Sequence, residues 1–164
     1  MSEAAESTHR NVARVTRAAA DAGLEISVVR FPEGTRTAED AARAVGCEVG
    51  QIVKSLVFMA DGRAVVAMVS GAHRLDPARL AAALGAGQVR RASGDEAREA
   101  TGYAIGGVPP LGHHADLRVL MDRHLLAHER VWAAAGLPDA VFAVEPRRLA
   151  EAAGARVTEL AADG

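Results

Sequence analysis

Two β-prone apolar runs meet across Asp61-Gly62. Residues 51–60 carry Ile52, Val53, Leu56, Val57 and Phe58; residues 63–69 carry Val65, Val66, Met68 and Val69. An Asp-Gly pair between such runs predicts a two-residue hairpin turn. An antiparallel pair in mid-chain excludes a purely parallel sheet. Helical signals flank it on both sides. Apolar residues recur at helical spacing over 8–22, before Gly23. Thr37 with Glu39 and Asp40 opens a second helix that Gly46 closes. Asp76-Pro77 and Ser93-Gly94-Asp95-Glu96 each read as a helix start, and Pro146 starts a last helix running to Gly154. Strands are expected over 26–31 (ended by Pro32-Glu33-Gly34), near Val89, and over 117–121, 130–135, 140–144 and 156–160. Helices and strands interleave, so the class is α+β.

The length of 164 residues suits one domain over 1–164, with residues 1–7 expected to fray. Alanine contributes 37 residues and aromatics only five, so the core must be built from Val, Leu, Ile and Ala. The net charge of −2 excludes a strongly basic nucleic-acid binder, because tight sequence-independent phosphate binding needs many uncompensated cations. DNA is therefore not an expected partner, whereas local contact with a short piece of nucleic acid remains compatible. No apolar run approaches the ~18–20 residues of a membrane helix, so no membrane partner is expected. The first ten residues have no apolar signal-peptide core, and one cysteine, Cys47, permits no intramolecular disulfide. Both point to a cytoplasmic setting.

Eighteen of the nineteen basic residues are arginine, and the lone lysine is Lys54, inside the first hairpin strand. Such bias makes most arginines generic surface charge. A retained lysine marks a position where an ammonium differs from a guanidinium.

Residues 101–114, Thr-Gly-Tyr-Ala-Ile-Gly-Gly-Val-Pro-Pro-Leu-Gly-His-His, form the least ordinary segment. Gly106 and Gly107 allow close backbone approach to a ligand, with amide hydrogens for an anion or carbonyl oxygen. Neither the P-loop nor the dinucleotide-binding glycine pattern is present. His124 and His128 stand at i,i+4 near His113-His114, but no HExxH pattern or cysteine pair accompanies them, so no metal and no other cofactor is expected. Cys47 reads as a small packed residue; the Arg90-Arg91 and Arg147-Arg148 pairs are candidates for phosphate contact, with solvated charge the commoner outcome for such pairs.

The blocks 50–58 (Gly-Gln-Ile-Val-Lys-Ser-Leu-Val-Phe), Leu75-Asp76, Leu84-Gly85-Ala86 and 101–112, with Asp122 after the next strand, resemble the YbaK and prolyl-tRNA synthetase editing-domain family in order and spacing. The resemblance covers roughly residues 8–160. It implies an α+β fold around a mixed, strongly curved, barrel-like sheet with surrounding helices. It also implies hydrolysis of the ester joining a wrong amino acid to a tRNA 3′ end, often tRNA for proline. Carried over residue by residue, it implies catalytic roles for Lys54, Gly106 and Gly107, and substrate contact by Ser55, Val108 and Pro109. His113 follows the loop as a further candidate for substrate contact. A later pocket strand, small, polar and glycine-rich in many relatives, reads Val-Trp-Ala-Ala-Ala-Gly over 131–136 here, which implies an alanine wall at Ala134 and Ala135.

The expected activity is a trans-acting deacylase that removes alanine or cysteine from tRNA for proline. It would touch the acceptor end weakly, with prolyl-tRNA synthetase as a further partner. Lys54 would hold the terminal phosphate or the developing oxyanion. Backbone amides around Gly106-Gly107 would form an oxyanion hole, and no Ser-His-Asp set is evident. The alternatives are a non-catalytic tRNA- or synthetase-binding module of the same fold, and a hydrolase for another small acyl ester.

Overall fold

The computed structural model describes residues 3–31 and 37–162, so the expected turn at 32–34 and the first two residues lie outside it. The hairpin forms as expected. β2 (Val53–Ala60) pairs antiparallel with β3 (Arg63–Ser70) in register Ala60↔Arg63 to Val53↔Ser70. Asp61 and Gly62 both take positive φ, +48° and +82°, as a type I′ turn requires.

The hairpin is the centre of a five-stranded sheet ordered β4-β2-β3-β5-β8. β4 (Val89–Arg91) is antiparallel to β2, while β5 (Arg118–Asp122) and β8 (Arg156–Thr158) add in parallel beyond β3. A second, antiparallel sheet runs β1 (Val28–Arg30), β7 (Ala140–Val144), β6 (Val131–Ala134). Among the described residues the strands fall into these two sheets, and no closed barrel is found. The two sheets meet edge to edge, among the described residues, at one parallel bridge, Ile52↔Trp132. The fold is mixed α+β, as expected.

Both faces of the larger sheet are covered, which explains why β3 is an unbroken apolar run rather than an alternating one. On one face, Val53, Val57, Val66, Met68, Val119 and Met121 share the main core with Ala133 and Phe142 of the second sheet. Val15 and Ala19 of α1 (Glu3–Asp21) and Leu149 of α5 (Pro146–Ala153) close it. On the other face, Phe58, Val65, Ala67, Val69 and Leu120 pack beneath Leu80 of α3 (Pro77–Leu84). A small third cluster joins Ala41 and Ala42 of α2 (Ala38–Val45) to Ile52.

The helix starts follow the local signals. Thr37 caps α2 by accepting from Asp40 N, and Asp76 caps α3 with Pro77 in its first turn. Ser93 and Glu96 form a reciprocal capping box on α4 (Gly94–Thr101). Glu96 also takes two bonds from Arg90 at 2.7 and 2.8 Å, which with the cap hold its carboxyl down to about 2. α1 begins at Glu3. Two short 3-10 turns, Val49–Gln51 and Arg123–Ala127, carry no strong sequence signal and were not expected.

Candidate functional site

β4 is only three residues long. It covers the outer edge of β2 from Phe58 to Ala60, and Ala92 extends the ladder by one bond, N–H to Val57 O at 3.0 Å. In an antiparallel strand, alternate residues direct their backbone groups to the same edge. The N–H and C=O of Ser55 therefore point to that edge beyond the end of β4. A cavity of about 320 Å³ opens there, between β2, the N-terminal turn of α2, the glycine loop and the second sheet. That is small for a ligand site, so it suits a compact group rather than a whole nucleotide.

Lys54 and Ser55 both line the cavity, but strand alternation sends their side chains to opposite faces of the sheet. Lys54 leans on the α3 side, where its Nζ donates to the carbonyl oxygen of His73 at 2.6 Å. Half-burial pushes its ammonium below the usual lysine range. Glu39 opposes that push, and Arg91 and Arg74 reinforce it. Arg91 also lines the cavity, its guanidinium 5.6 Å from the Phe58 ring centroid. Two cations, Lys54 and Arg91, thus stand on the cavity lining, with Glu39 and Arg74 near enough to act on Lys54 through their charge.

Ser55 faces the core side, between Val53 and Val57. Its Oγ is buried and has no hydrogen-bond partner, alone in this respect among the described residues. The surrounding wall is apolar: Ala41, Ile52, Val108, Trp132, Ala134 and Val141.

The glycine loop reaches the cavity through Ile105, Gly106 and Val108. Its base is anchored by Tyr103, whose ring is buried in the main core and whose hydroxyl donates to Gly112 O at 3.0 Å. Thr101 Oγ1 accepts from Tyr103 N and donates to Ala97 O, tying the loop to the end of α4. Residues 104–107 form a turn closed by Gly107 N–H to Ala104 O at 3.0 Å, with Gly106 at φ +96° in the position that favours glycine.

The two glycines therefore differ. Gly106 lines the cavity, and its N–H is not consumed by the turn. Gly107 lies behind it, where an added Cβ would stand 2.8 Å from Leu137 Cα. Its amide is taken by Ala104 O, and it packs against the Leu137 backbone.

Of the other expected contacts, Val108 and Ala134 line the cavity. Pro109, His113 and Ala135 do not. Ala135 is fully buried in the main core. His113 turns back to donate Nε2–H to Pro109 O at 2.7 Å, and burial holds its imidazole below the usual histidine range. Sequence reasoning missed Trp132, Ile105 and Arg91 as wall residues. Trp132 was the one available signal, a lone large ring in an alanine strand.

Asp122 lies away from the cavity lining. It is fully buried. Its Oδ1 accepts from Leu160 N and Ala161 N, and its Oδ2 from the N and Nδ1 of His124. Burial raises the carboxyl, but these bonds outweigh it and hold the group below the usual carboxylate range. The His124 ring in turn packs on His73, centroids 4.5 Å apart, beneath the carbonyl that holds Lys54. Among the described residues, no three His, Cys, Asp or Glu side chains gather as a metal site would require.

Comparison with known proteins matches residues 32–152 to the aminoacyl-tRNA editing domain. The chain belongs to that family. A solved structure described as "a putative trans-editing enzyme for prolyl tRNA synthetase" superposes with a TM-score of 0.87 at 45% identity, covering 92% of this chain and 96% of that one. The uncharacterized protein YwhH of Bacillus subtilis (strain 168) is 32% identical over 128 residues, 77% of this chain and 81% of its own length. Proline--tRNA ligase of Nitratidesulfovibrio vulgaris (strain DP4) is 34% identical over 110 residues, 67% of this chain. The aligned part is 18% of the ligase, so the likeness concerns one segment of that larger protein. No described helix of this editing-domain chain is long and apolar enough to cross a membrane.

Proposed function

We propose that the chain is a trans-acting aminoacyl-tRNA deacylase. It hydrolyses the ester that joins a small wrong amino acid, such as alanine or cysteine, to tRNA for proline. The observation that carries this reading is the pairing of a cationic rim with a small apolar chamber at an open strand edge. The rim suits the phosphates at a tRNA 3′ end. The chamber admits a small side chain, and binding alone separates small side chains poorly, which is why a hydrolytic sieve is useful.

Lys54 keeps two ammonium hydrogens beyond the one given to His73 and holds a phosphate oxygen at the rim. The ester carbonyl then lies along the β2 edge. The N–H groups of Ser55 and Gly106 stabilise the oxyanion as it forms, a contribution of about 2.7–4 kcal/mol per donor in comparable sites. With His113 turned away, no imidazole of the described residues lines the cavity to serve as base. The neighbouring ribose hydroxyl of the substrate orients the attacking water. Water adds to the carbonyl carbon, the carbonyl–ribose bond breaks, and the free amino acid and tRNA leave.

Contact with tRNA is weak and confined to the acceptor end, in keeping with a net charge of −2. Such an enzyme works in the cytoplasm, where tRNA is charged, with prolyl-tRNA synthetase as a partner. The test is ester loss from a panel of mischarged tRNAs, with Lys54→Ala as control. Hydrolysis abolished in a folded Lys54→Ala protein is the expected result. Binding without hydrolysis by the unaltered protein assigns a recognition module instead.

A further inference from the structure

The two histidines that the sequence sets at i,i+4 part company in the fold. His128 goes to Gly50, where an added Cβ would stand 3.4 Å from its Cε1 and Nε2. His124 goes to His73, with ring centroids 4.5 Å apart and planes tilted by 38°. Neither His73 nor His124 lines the cavity, and the deacylase reading gives their rings no part. Yet His73 lends Lys54 its carbonyl, and among the described residues that is the one hydrogen bond the ammonium makes. His124 is fixed at its far edge. Its Nδ1 and its backbone N both meet Asp122 Oδ2, at 2.7 and 3.0 Å. A carboxylate only accepts, so Nδ1 carries the proton. Asp122 is fully buried and its other oxygen is taken by Leu160 N and Ala161 N, so it stays in place whatever the ring does. The turn that carries the His73 carbonyl is held from the β3 side, by His73 N–H to Ser70 O at 3.0 Å and by Ser70 Oγ to Gly50 O at 2.8 Å. The ring contact holds it from the β5 side.

Resting on the deacylase reading, we propose that His124 is a positioning residue: its ring, locked by Asp122, seats His73 so that the His73 carbonyl aims the Lys54 ammonium at the cavity rim. The task needs a flat face for His73 and an N–H for Asp122 on one side chain. Histidine supplies both. Phenylalanine offers the face alone, and asparagine the N–H alone. The contact is ring to ring, but what it fixes is a backbone oxygen, so the His73 side chain can be removed without removing the group that Lys54 bonds.

Lys54 is the chain's lone lysine, so its reaction with an amine reagent reports on one side chain. The experiment measures the rate of Lys54 acetylation by dilute N-hydroxysuccinimide acetate at a fixed pH, read by peptide mass spectrometry, beside kcat/KM on mischarged tRNA for proline. His73→Ala and His124→Ala are each expected to raise the acetylation rate and lower kcat/KM, both roughly tenfold, as weakening a hydrogen bond to a charged group does. The double variant should match either single one, because both residues act through one contact. His124→Phe keeps a ring face and should return most of the acetylation rate toward that of the unaltered protein. Melting temperatures confirm that each variant is folded. Unchanged acetylation or unchanged kcat/KM in both single variants, or effects that add in the double variant, overturn the assignment. Faster acetylation in the variants, with no mischarged tRNA hydrolysed even by the unaltered protein, overturns the deacylase reading while the seating of Lys54 stands.

Discussion

The Nζ of Lys54 and the carbonyl oxygen of His73, nineteen residues apart, lie 2.6 Å from each other. That bond fixes the ammonium at the cavity rim and fills one of its three donor positions. Its geometry is that of a compact point charge. Lys54→Arg should therefore fail to rescue. A planar, longer guanidinium cannot keep both the His73 contact and the same rim position. We expect Lys54→Ala and Lys54→Arg each to reduce deacylation at least ~100-fold, because the phosphate at the rim is then no longer held where the ester meets the β2 edge. Circular dichroism spectra should match the unaltered protein.

The lowered Lys54 ammonium sets a pH signature. The charged form is the working form, so activity should fall on the alkaline side at a pH below that of an ordinary lysine. The stability sign is opposite. The unfolded chain binds this proton more tightly than the folded one, so between the two values this group makes stability rise with pH. A pH–rate profile and a urea-midpoint series over the same range check both directions.

Gly107→Ala should damage the protein more than Gly106→Ala. At Gly107 the new Cβ meets the Leu137 backbone at 2.8 Å, and backbone cannot move aside as a side-chain tip can. At Gly106 the nearest atom is Pro138 Cγ at 3.8 Å, and the cost is the positive φ alone, about 1–2 kcal/mol. We expect about 2–4 kcal/mol for Gly107→Ala, as for other overpacked sites, seen as the larger fall in melting temperature.

Asp122→Asn should cost about 2–4 kcal/mol, because an amide nitrogen then faces N–H donors where a carboxylate oxygen accepted them. The unaltered Asp122 is held below the usual carboxylate range. Its stabilisation is present above the unfolded value of 3.8 and is lost as pH falls through the lower folded value. Acid unfolding should therefore begin at a higher pH in the Asn variant, followed by tryptophan fluorescence. His113→Gln, by contrast, should leave kcat/KM within about twofold, because that ring is bonded to Pro109 away from the cavity.

The elements set by neighbouring residues were legible in the sequence. The Asp61-Gly62 turn and the caps at Thr37, Asp76 and Ser93 each depend on contacts within four residues. What was not legible depends on distant pairs. Ile52 and Trp132 form the one bridge between the two sheets among the described residues, and nothing local to either residue says that the sheets stop there. The same holds for the site. Lys54 and Gly106 were found by motif. Arg91 and Trp132 reach the cavity by what they face, and Gly107 and Ala135 lie behind their neighbours Gly106 and Ala134, which line it.

The brevity of β4 has a second consequence. A strand edge with bare amides and carbonyls is a template that other extended chains can pair with, in an oligomer or an aggregate. Had β4 continued three residues further along β2, that hazard would vanish and the cavity with it. The protein instead guards the gap by other means. α2 stands over it through Ala38 and Ala41, and Arg91 places a charge at its end. Substitutions that loosen α2 or neutralise Arg91 should therefore appear first as self-association, before any loss of fold, in light scattering at rising protein concentration.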